Sequence, residues 1–343
     1  MSIINHPPCI SVILVTWNSA LYLPRCLDCL ARQTYKDFEV VLVDNGSTDG
    51  SLDRLESRWP ELAFRIEKLK ENRGFAFANN LGARLASGLW LALLNTDAFP
   101  ESDWLEMLLQ ATERYPEFIF FASRQIQANM PQFLDGAGDA YHISGLAWRR
   151  FAGWPSAQFG LDPKEVFSPC AAAALYSRQV FLKVDGFDED FFSYHEDVDL
   201  AFRLRLQGFR CLYIPEAIVE HIGSATLGDQ SNFALYHWQR NFIWSYIQNM
   251  PSTLLWRTLP AHIMANIIYQ VNYGLRGRGR ILWNAKIDAF RGFPRALHKR
   301  QEIQKNRKVK NKELLRKMEG GWLQPYLLGY HIRKFRQTIS SSK

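Results

Sequence analysis

Four short polar segments stand out in a chain otherwise rich in apolar runs: Asp44-Asn45, Asn95-Thr96-Asp97, Glu196-Asp197 and His221. A single carboxylate such as Asp97 can hold a hard divalent cation that in turn bridges phosphate oxygens, and an imidazole such as His221 can converge on the same ion. Glu196 and Asp197 follow Phe191, Phe192 and Tyr194. A carboxylate pair among aromatic rings is partly desolvated, which tunes it upward toward a general base. Each segment also has a plain structural use. Asp44-Asn45-Gly46-Ser47 is turn chemistry plus a helix cap, and Asn95-Thr96-Asp97 before Pro100 reads equally as a strand-ending turn with Ser102 capping the next helix. Glu196 and Asp197 in a first helical turn complement the helix dipole, with Asp199 paired to Arg203 four residues on, and a lone histidine is commonly a surface or core residue.

The elements around these segments weigh for chemistry. Ile10 to Thr16 and Phe38 to Asp44 are apolar runs of buried-strand length, joined by an amphipathic helix over Leu21 to Gln33. A weaker strand near Ala63 to Glu67, a helix from Phe75 to Ala86, a strand from Trp90 to Leu94 and a helix from Ser102 to Arg114 follow. This alternation predicts an α/β fold, a doubly wound, mainly parallel sheet whose ligand crevice lies at the carboxyl ends of its strands. Thr16, Asn18, Asp44, Asn45, Asn95, Thr96 and Asp97 fall at those ends. A second constellation follows the small-residue strand PCAAAALYS: the acidic, aromatic stretch Gly186 to Asp199 leads into an amphipathic helix through Leu206, then a strand from Cys211 to Ile214 and Val219-Glu220-His221. Between the two halves, Asp135 to Gly153, with Gly136, Gly138, Trp148 and Arg149-Arg150, reads either as acceptor-side loop structure or as an ordinary Gly-rich hairpin.

The six quoted segments ISVILVTWN, VVLVDNGSTDGS, ENRGFAFANNLG, LLNTDAFP, VDGFDEDFFSYHEDVDLAFRLRLQG and YIPEAIVEHIGS, in this order, resemble a family 2 glycosyltransferase of the GT-A fold. The similarity is to the bacterial rhamnosyltransferase-like branch and spans roughly Ile10 to Ser224. The resemblance implies a nucleoside diphosphate sugar, dTDP-rhamnose among the candidates, lying across the strand ends. Its sugar would pass to a glycan or lipid-linked acceptor in cell-surface polysaccharide synthesis, with inversion. It implies that Thr16, Asn18 and Asp44 contact base and ribose, that Arg73 and Asn80 support the nucleotide side, and that Asn95-Thr96-Asp97 occupies the family's metal-binding position. The first acid of that motif is Asn95 here, leaving Asp97 as its only carboxylate. His221 matches a further ligand to Mg or Mn, and Asp197, beside Glu196, matches the catalytic base.

Charge divides the chain in two. The net charge is +7, yet the residues from Gln230 onward carry 21 Lys+Arg against 4 Asp+Glu, a balance of +17 on an otherwise acidic body. The expected division is a catalytic domain over 1–229 and a helical, aromatic and basic extension over 230–343. Phe233, Tyr236, Trp238, Phe242, Trp244 and Tyr246 crowd one helical stretch, and Trp256, Trp283 and a basic run follow. Such a segment fits a protein lying on an anionic membrane from the cytoplasmic side, or a helical pair packed on the catalytic domain. The charge-free run Thr258 to Leu275 is interrupted by Pro260, His262, Asn266, Gln270 and Asn272, so no spanning helix is expected. MSIINHPPCISVILV lacks the layout of a secretory signal, and five scattered cysteines fit a reducing compartment. No nucleic-acid module accompanies the basic tail. Hydride transfer is disfavoured because no GxGxxG follows the first strand. A sugar-phosphate nucleotidyltransferase would be expected to carry a Gly-rich, Arg-bearing loop where TWNSALYLP stands, and a mere nucleotide-sugar-binding protein has no use for Glu196-Asp197.

Overall fold

The computed structural model describes residues 8–53, 55–223 and 231–321. The first half alternates as expected: β1 (Ile10–Thr16), α1 (Leu23–Ala31), β2 (Phe38–Asp44), α2 (Leu55–Arg58), β3 (Phe64–Lys68), α3 (Phe75–Leu85), β4 (Trp90–Asn95), β5 (Ala98–Pro100) and α4 (Trp104–Arg114). The second half adds β6 (Phe120–Gln127), β7 (Leu134–Ala137), β8 (Asp139–Tyr141), β9 (Ala147–Arg149), β10 (Lys164–Val166), β11 (Ala173–Ser177), α5 (Arg178–Lys183), α6 (Glu196–Leu206) and β12 (Cys211–His221). Five helices complete the described chain: α7 (Asn232–Asn249), α8 (Ser252–Leu275), α9 (Gly279–Arg291), α10 (Phe293–Lys305) and α11 (Asn311–Leu315).

The main sheet runs β10-β12-β6-β11-β4-β1-β2-β3. β3, β2, β1 and β4 are mutually parallel, while β11 is antiparallel to both β4 and β6. Alternate side chains feed two faces. Ile10, Val12 and Leu14 pack with α1 and α4 on one side, and Ile13, Val41, Leu91 and Leu93 pack with α3, α5 and α6 on the other. Both faces are covered, which is why these strands are almost uniformly apolar.

One strand departs from its expected length. β12 continues past Ile214 to His221, because Pro215, Glu216 and Ala217 form a bulge: Ile214 opposes Ser123 and Ile218 opposes Arg124 on β6. Proline inside a sheet is tolerated at such a bulge, where no ladder donor is required. The consequence is positional. His221 ends up paired with Ala98 of β5, at the mouth of the sheet.

The helices after residue 231 pack on the sheet domain rather than standing apart. Tyr141, Phe167, Val198 and Phe202 share one core with Tyr246, Met250, Leu254 and Leu314, and Leu146 and Phe191 share another with Phe242, Trp244 and Ala289. The boundary expected at 229 and the first and last stretches of chain lie outside the described residues. α8 continues through Pro260, and no helix among the described residues is long and apolar enough to cross a membrane.

Candidate active site

The carboxyl ends of β1, β2 and β4 open into a cleft of about 490 Å³. Behind it, Thr16 and Asp44 are register partners at adjacent strand ends; both are buried and neither lines the cleft, nor do Asn18 and Arg73. Asp44 accepts from the backbone N–H of Ser47 at 3.0 Å, which folds the Asn45–Ser47 turn back on its strand. Asn45 is a clasp: its Oδ1 accepts from Arg73 N at 2.8 Å and its Nδ2 donates to Asn72 Oδ1 at 2.9 Å and to the Gly74 carbonyl at 3.2 Å. Asn18 occupies the left-handed region at φ 49° on the exposed rim, where its Oδ1 accepts from Thr48 N at 2.9 Å. The loops after β1 and β2 are thereby laced together. Trp17, Asn72 and Phe75 line the cleft beside them.

Two residues expected on the nucleotide side are used differently. Asn80 does not reach the cleft: its Nδ2 donates to the Phe187 carbonyl at 2.8 Å and its Oδ1 accepts from Phe187 N at 2.8 Å, so it joins α3 to the turn after α5. The Arg73 guanidinium lies over the Phe77 ring, 3.5 Å from its centre, and Arg73 serves this side of the site through its backbone.

The second corner is built where β4 passes into β5. Asn95, Thr96 and Asp97 all line the cleft, with Thr96 Oγ1 donating to Ser19 Oγ at 3.1 Å. The His221 ring lies against them, its Nε2 3.5 Å from Asp97 Oδ1 and its Nδ1 2.8 Å from Asp135 Oδ2. Asp135 also receives the Arg149 guanidinium. Burial pushes the Asp135 carboxyl up, but Arg149 and His221 outweigh it and hold it at about 2. Asp135 is therefore a permanent acceptor, which fixes Nδ1 of His221 as the donor nitrogen and aims Nε2 at Asp97.

The third corner is the start of α6. Glu196 and Asp197 both face the cleft, but their surroundings differ. Asp197 accepts from Ala171 N at 3.1 Å and from Val198 N at 2.8 Å. Glu196 is buried, and its Oε2 has no hydrogen-bond partner. Burial, then the neighbouring Asp197 charge, raise the Glu196 carboxyl well above its usual range; Asp197 is raised less, because backbone donors favour its ionised form against burial. Asp197 thus has the backbone donors that suit an anion, whereas Glu196 has none at its Oε2. Asp199, the third acid of the turn, is structural and pairs with Arg203 at 2.8 Å as its spacing predicts.

Sequence reasoning missed a third acid of this cluster. Asp139, at the start of β8, is buried, lines the cleft, and leaves its Oδ1 without a partner. Burial and the charge of Asp197 raise it to about 7. Asp135, Asp139 and Arg149 all belong to the Gly-rich segment whose role stayed open between loop and hairpin. Two acids flanking Gly-Ala-Gly, facing an arginine across a hairpin, are the available signal.

A stability prediction follows from Asp139. Its folded-state value lies above the ordinary 3.8, so the stability linked to its protonated form is complete below about pH 4 and is lost as pH rises through about 7. Asp139→Asn is expected to melt higher than wild type at pH 8 and level with it at pH 4. Melting curves across that range check it, and a variant that melts lower at pH 8 refutes the assigned environment.

Comparison with known proteins agrees with the fold. Residues 11–184 match Glycosyl transferase family 2, and residues 131–287 match Glycosyl transferase family group 2. The chain is 30% identical over 261 residues, 68% of its length and 82% of the relative's, to the N-acetylglucosaminyl-diphospho-decaprenol L-rhamnosyltransferase of Mycobacterium tuberculosis. A PGL/p-HBAD biosynthesis glycosyltransferase of Mycobacterium bovis is 46% identical over 91 residues, covering 26% of this chain and 36% of that protein. Among solved structures, S. aureus TarS 1–349 with UDP-GlcNAc superposes with a TM-score of 0.57 at 18% identity, covering 87% of this chain and 88% of that one. The mannosyltransferase PcManGT of Pyrobaculum calidifontis, bound to GDP-Man and Mn2+, gives 0.54 at 18% identity, covering 83% and 76%. This chain spans 42% of the longer TarS structure. The protein belongs to glycosyl transferase family 2 and is a glycosyltransferase with the GT-A fold.

Proposed function

We propose that this enzyme moves a sugar, with rhamnose from dTDP-rhamnose the first candidate, onto a lipid-linked saccharide in polysaccharide synthesis, inverting the anomeric centre. The observation that carries the reading is the meeting of Asp97 and His221 with Glu196 and Asp197 in one cleft below the nucleotide-side turns. The mycobacterial relative, an L-rhamnosyltransferase of N-acetylglucosaminyl-diphospho-decaprenol, supports the donor and acceptor classes.

The residues at the β4 corner fit a divalent cation. His221 Nε2 is buried without a hydrogen-bond partner, its other nitrogen is held by Asp135, and Asp97 faces it. Asp97 and His221 would hold Mg or Mn, which when bound stabilises the charge growing on the leaving diphosphate. Two protein ligands leave room for phosphate oxygens. On the other side, Asp197, held by two backbone donors, accepts the proton of the attacking hydroxyl, with Glu196 buried beside it. Thr16 and Asp44 form the floor behind the nucleotide, with Asn18 and the Arg73 backbone at its edge. A panel of nucleotide sugars assayed for diphosphate release with a lipid-linked acceptor, followed by assignment of the product's anomeric configuration, tests donor, acceptor and inversion together. A retained configuration overturns the single-displacement mechanism.

The same reading puts the enzyme on the inner face of the membrane as a peripheral protein. Trp256, Ile263, Ile267 and Leu275 are exposed at helical spacing along α8, and Trp283 and Phe290 are exposed seven residues apart on α9. Arg276 and Arg280 lie exposed at the junction of these two helices. An apolar stripe flanked by arginines suits an anionic lipid surface, each nearby cation adding about 1 kcal/mol. Truncation near 229 would strip Leu146 and Phe191 of their core partners. The informative variant is therefore the surface pair Trp256→Glu with Ile267→Glu. It is expected to lose recovery with anionic liposomes in flotation while wild type floats. Equal flotation of both, or of neither, refutes the lipid role.

A further inference from the structure

Three of the four residues that lead into the catalytic acids adopt a backbone conformation that side chains disfavour: Phe192 at φ 64°, Tyr194 at 69° and His195 at 72°. Glycine, the residue suited to such angles, is at none of these positions. The sequence therefore does not hold this backbone by local preference, and something outside it must. One face of the loop is fixed by α3, where Ala76 N donates to the Phe192 carbonyl at 3.1 Å. That approach requires Gly74, since a Cβ there would lie 2.6 Å from the same oxygen.

The other face is fixed by the helix in which the basic, aromatic part of the chain begins. Asn241 of α7 is fully buried, and its amide nitrogen lies 2.9 Å from the Phe191 carbonyl, 2.9 Å from that of Ser193 and 2.7 Å from that of Tyr194. Three carbonyl oxygens converging in a buried space repel one another unless a common donor is present. Arg240, one residue earlier, donates to the carbonyls of Asp190 and Phe191 at 2.9 and 3.0 Å, and its Nε donates to Asn241 Oδ1 at 3.0 Å, which orients the amide. From the same helix Phe233 packs against Phe192 and Tyr194 and forms part of the cleft wall.

We propose that Asn241 is a positioning residue for glycosyl transfer: by gathering the carbonyls of Phe191, Ser193 and Tyr194 it holds the turn that points Glu196 and Asp197 into the cleft. The inference rests on the assignment of those two acids to proton transfer. It makes α7 part of the active site rather than only an attachment for the helices that follow. No shorter or apolar side chain supplies the donor. An aspartate would turn a negative oxygen on three carbonyls, and Gln adds a methylene to a fully buried side chain.

The test uses the full chain and two measurements. In hydrogen exchange followed by mass spectrometry, Asn241→Ala is expected to accelerate exchange about tenfold in peptides covering 188–197 while β1, β2 and β4 keep wild-type rates. With the nucleotide sugar that wild type consumes, kcat is expected to fall about 10²-fold with donor KM within about threefold, because the acids are displaced and the nucleotide side is not. Unchanged exchange overturns the proposal, as does faster exchange with kcat retained. Wild type that turns over no nucleotide sugar counts against the functional reading, and exchange alone then decides whether Asn241 holds the turn. If Asn241→Ala does not fold, Arg240→Gln, which removes the donors to Asp190 and Phe191, is expected to shift both readouts in the same direction by about fivefold. Wild-type values for it would overturn the proposal.

Discussion

Replacing Asp197 by Asn is expected to lower kcat by about 10² to 10⁴-fold while donor affinity stays within about threefold. The amide keeps the shape of the carboxylate but cannot take the acceptor proton. It can also still accept from Ala171 N or Val198 N through its remaining oxygen, so the start of α6 is preserved. Glu196→Gln is expected to cost far less, because burial and the Asp197 charge already disfavour the ionised form of Glu196 that Gln removes. The pH profile of wild type adds a second check. Burial raises Asp197, so turnover should climb with pH at values above the ordinary carboxylate range. Separate measurement of kcat and of nucleotide-sugar affinity by calorimetry distinguishes a lost base from a lost binding contact. Near-wild-type kcat in Asp197→Asn would move the base to Glu196, and Asp139→Asn would then be the next variant to measure.

What could be read from the sequence followed the reach of local signals. β1, β2 and β4 are continuous apolar runs ending in polar residues, so both their existence and the position of the cleft were legible from the chain. Asn95, Thr96, Asp97, Glu196, Asp197 and His221 do meet in that cleft. β12 was cut short because Pro215 reads as a strand end, and only pairing with β6 across the bulge reveals its continuation. Asn80 looks like a nucleotide contact by motif, yet its partner is Phe187, more than a hundred residues away. The segment of Asp135, Asp139 and Arg149 stood out in the sequence, but not the direction of its side chains: a two-stranded hairpin of three-residue strands has too little periodicity to orient them. The composition of the tail announced aromatic and basic surface, but not that Asn241 would turn inward onto the carbonyls before α6. Composition reports what a segment carries; only packing determines which groups it spends on the fold.

Removing the Asp97 carboxylate is expected to abolish metal-dependent transfer without unfolding the protein. Asp97 lies in the two-residue link between β4 and β5, and its backbone carbonyl accepts from Ile222 N at 3.1 Å, a bond that an alanine retains. What an alanine loses is the acid facing His221 Nε2. Because the other residues of the segment are Asn95 and Thr96, no other carboxylate of it takes the place of Asp97. Asp97→Ala should therefore lose both turnover and the increase in nucleoside diphosphate affinity that Mn or Mg gives wild type, which calorimetry with and without the ion measures. Asp135→Asn grades the same idea. The asparagine no longer anchors the imidazole as a charged acceptor, and a supporting acid of this kind is worth about 10 to 100-fold in metal affinity. The order expected is wild type, then Asp135→Asn, then Asp97→Ala, for metal-linked nucleotide binding and for kcat alike. Full wild-type turnover in excess chelator, or an Asp97→Ala protein whose nucleotide affinity still responds to Mn, would show that the diphosphate charge is met by other groups, with Arg149, which lines the cleft, the cation to examine.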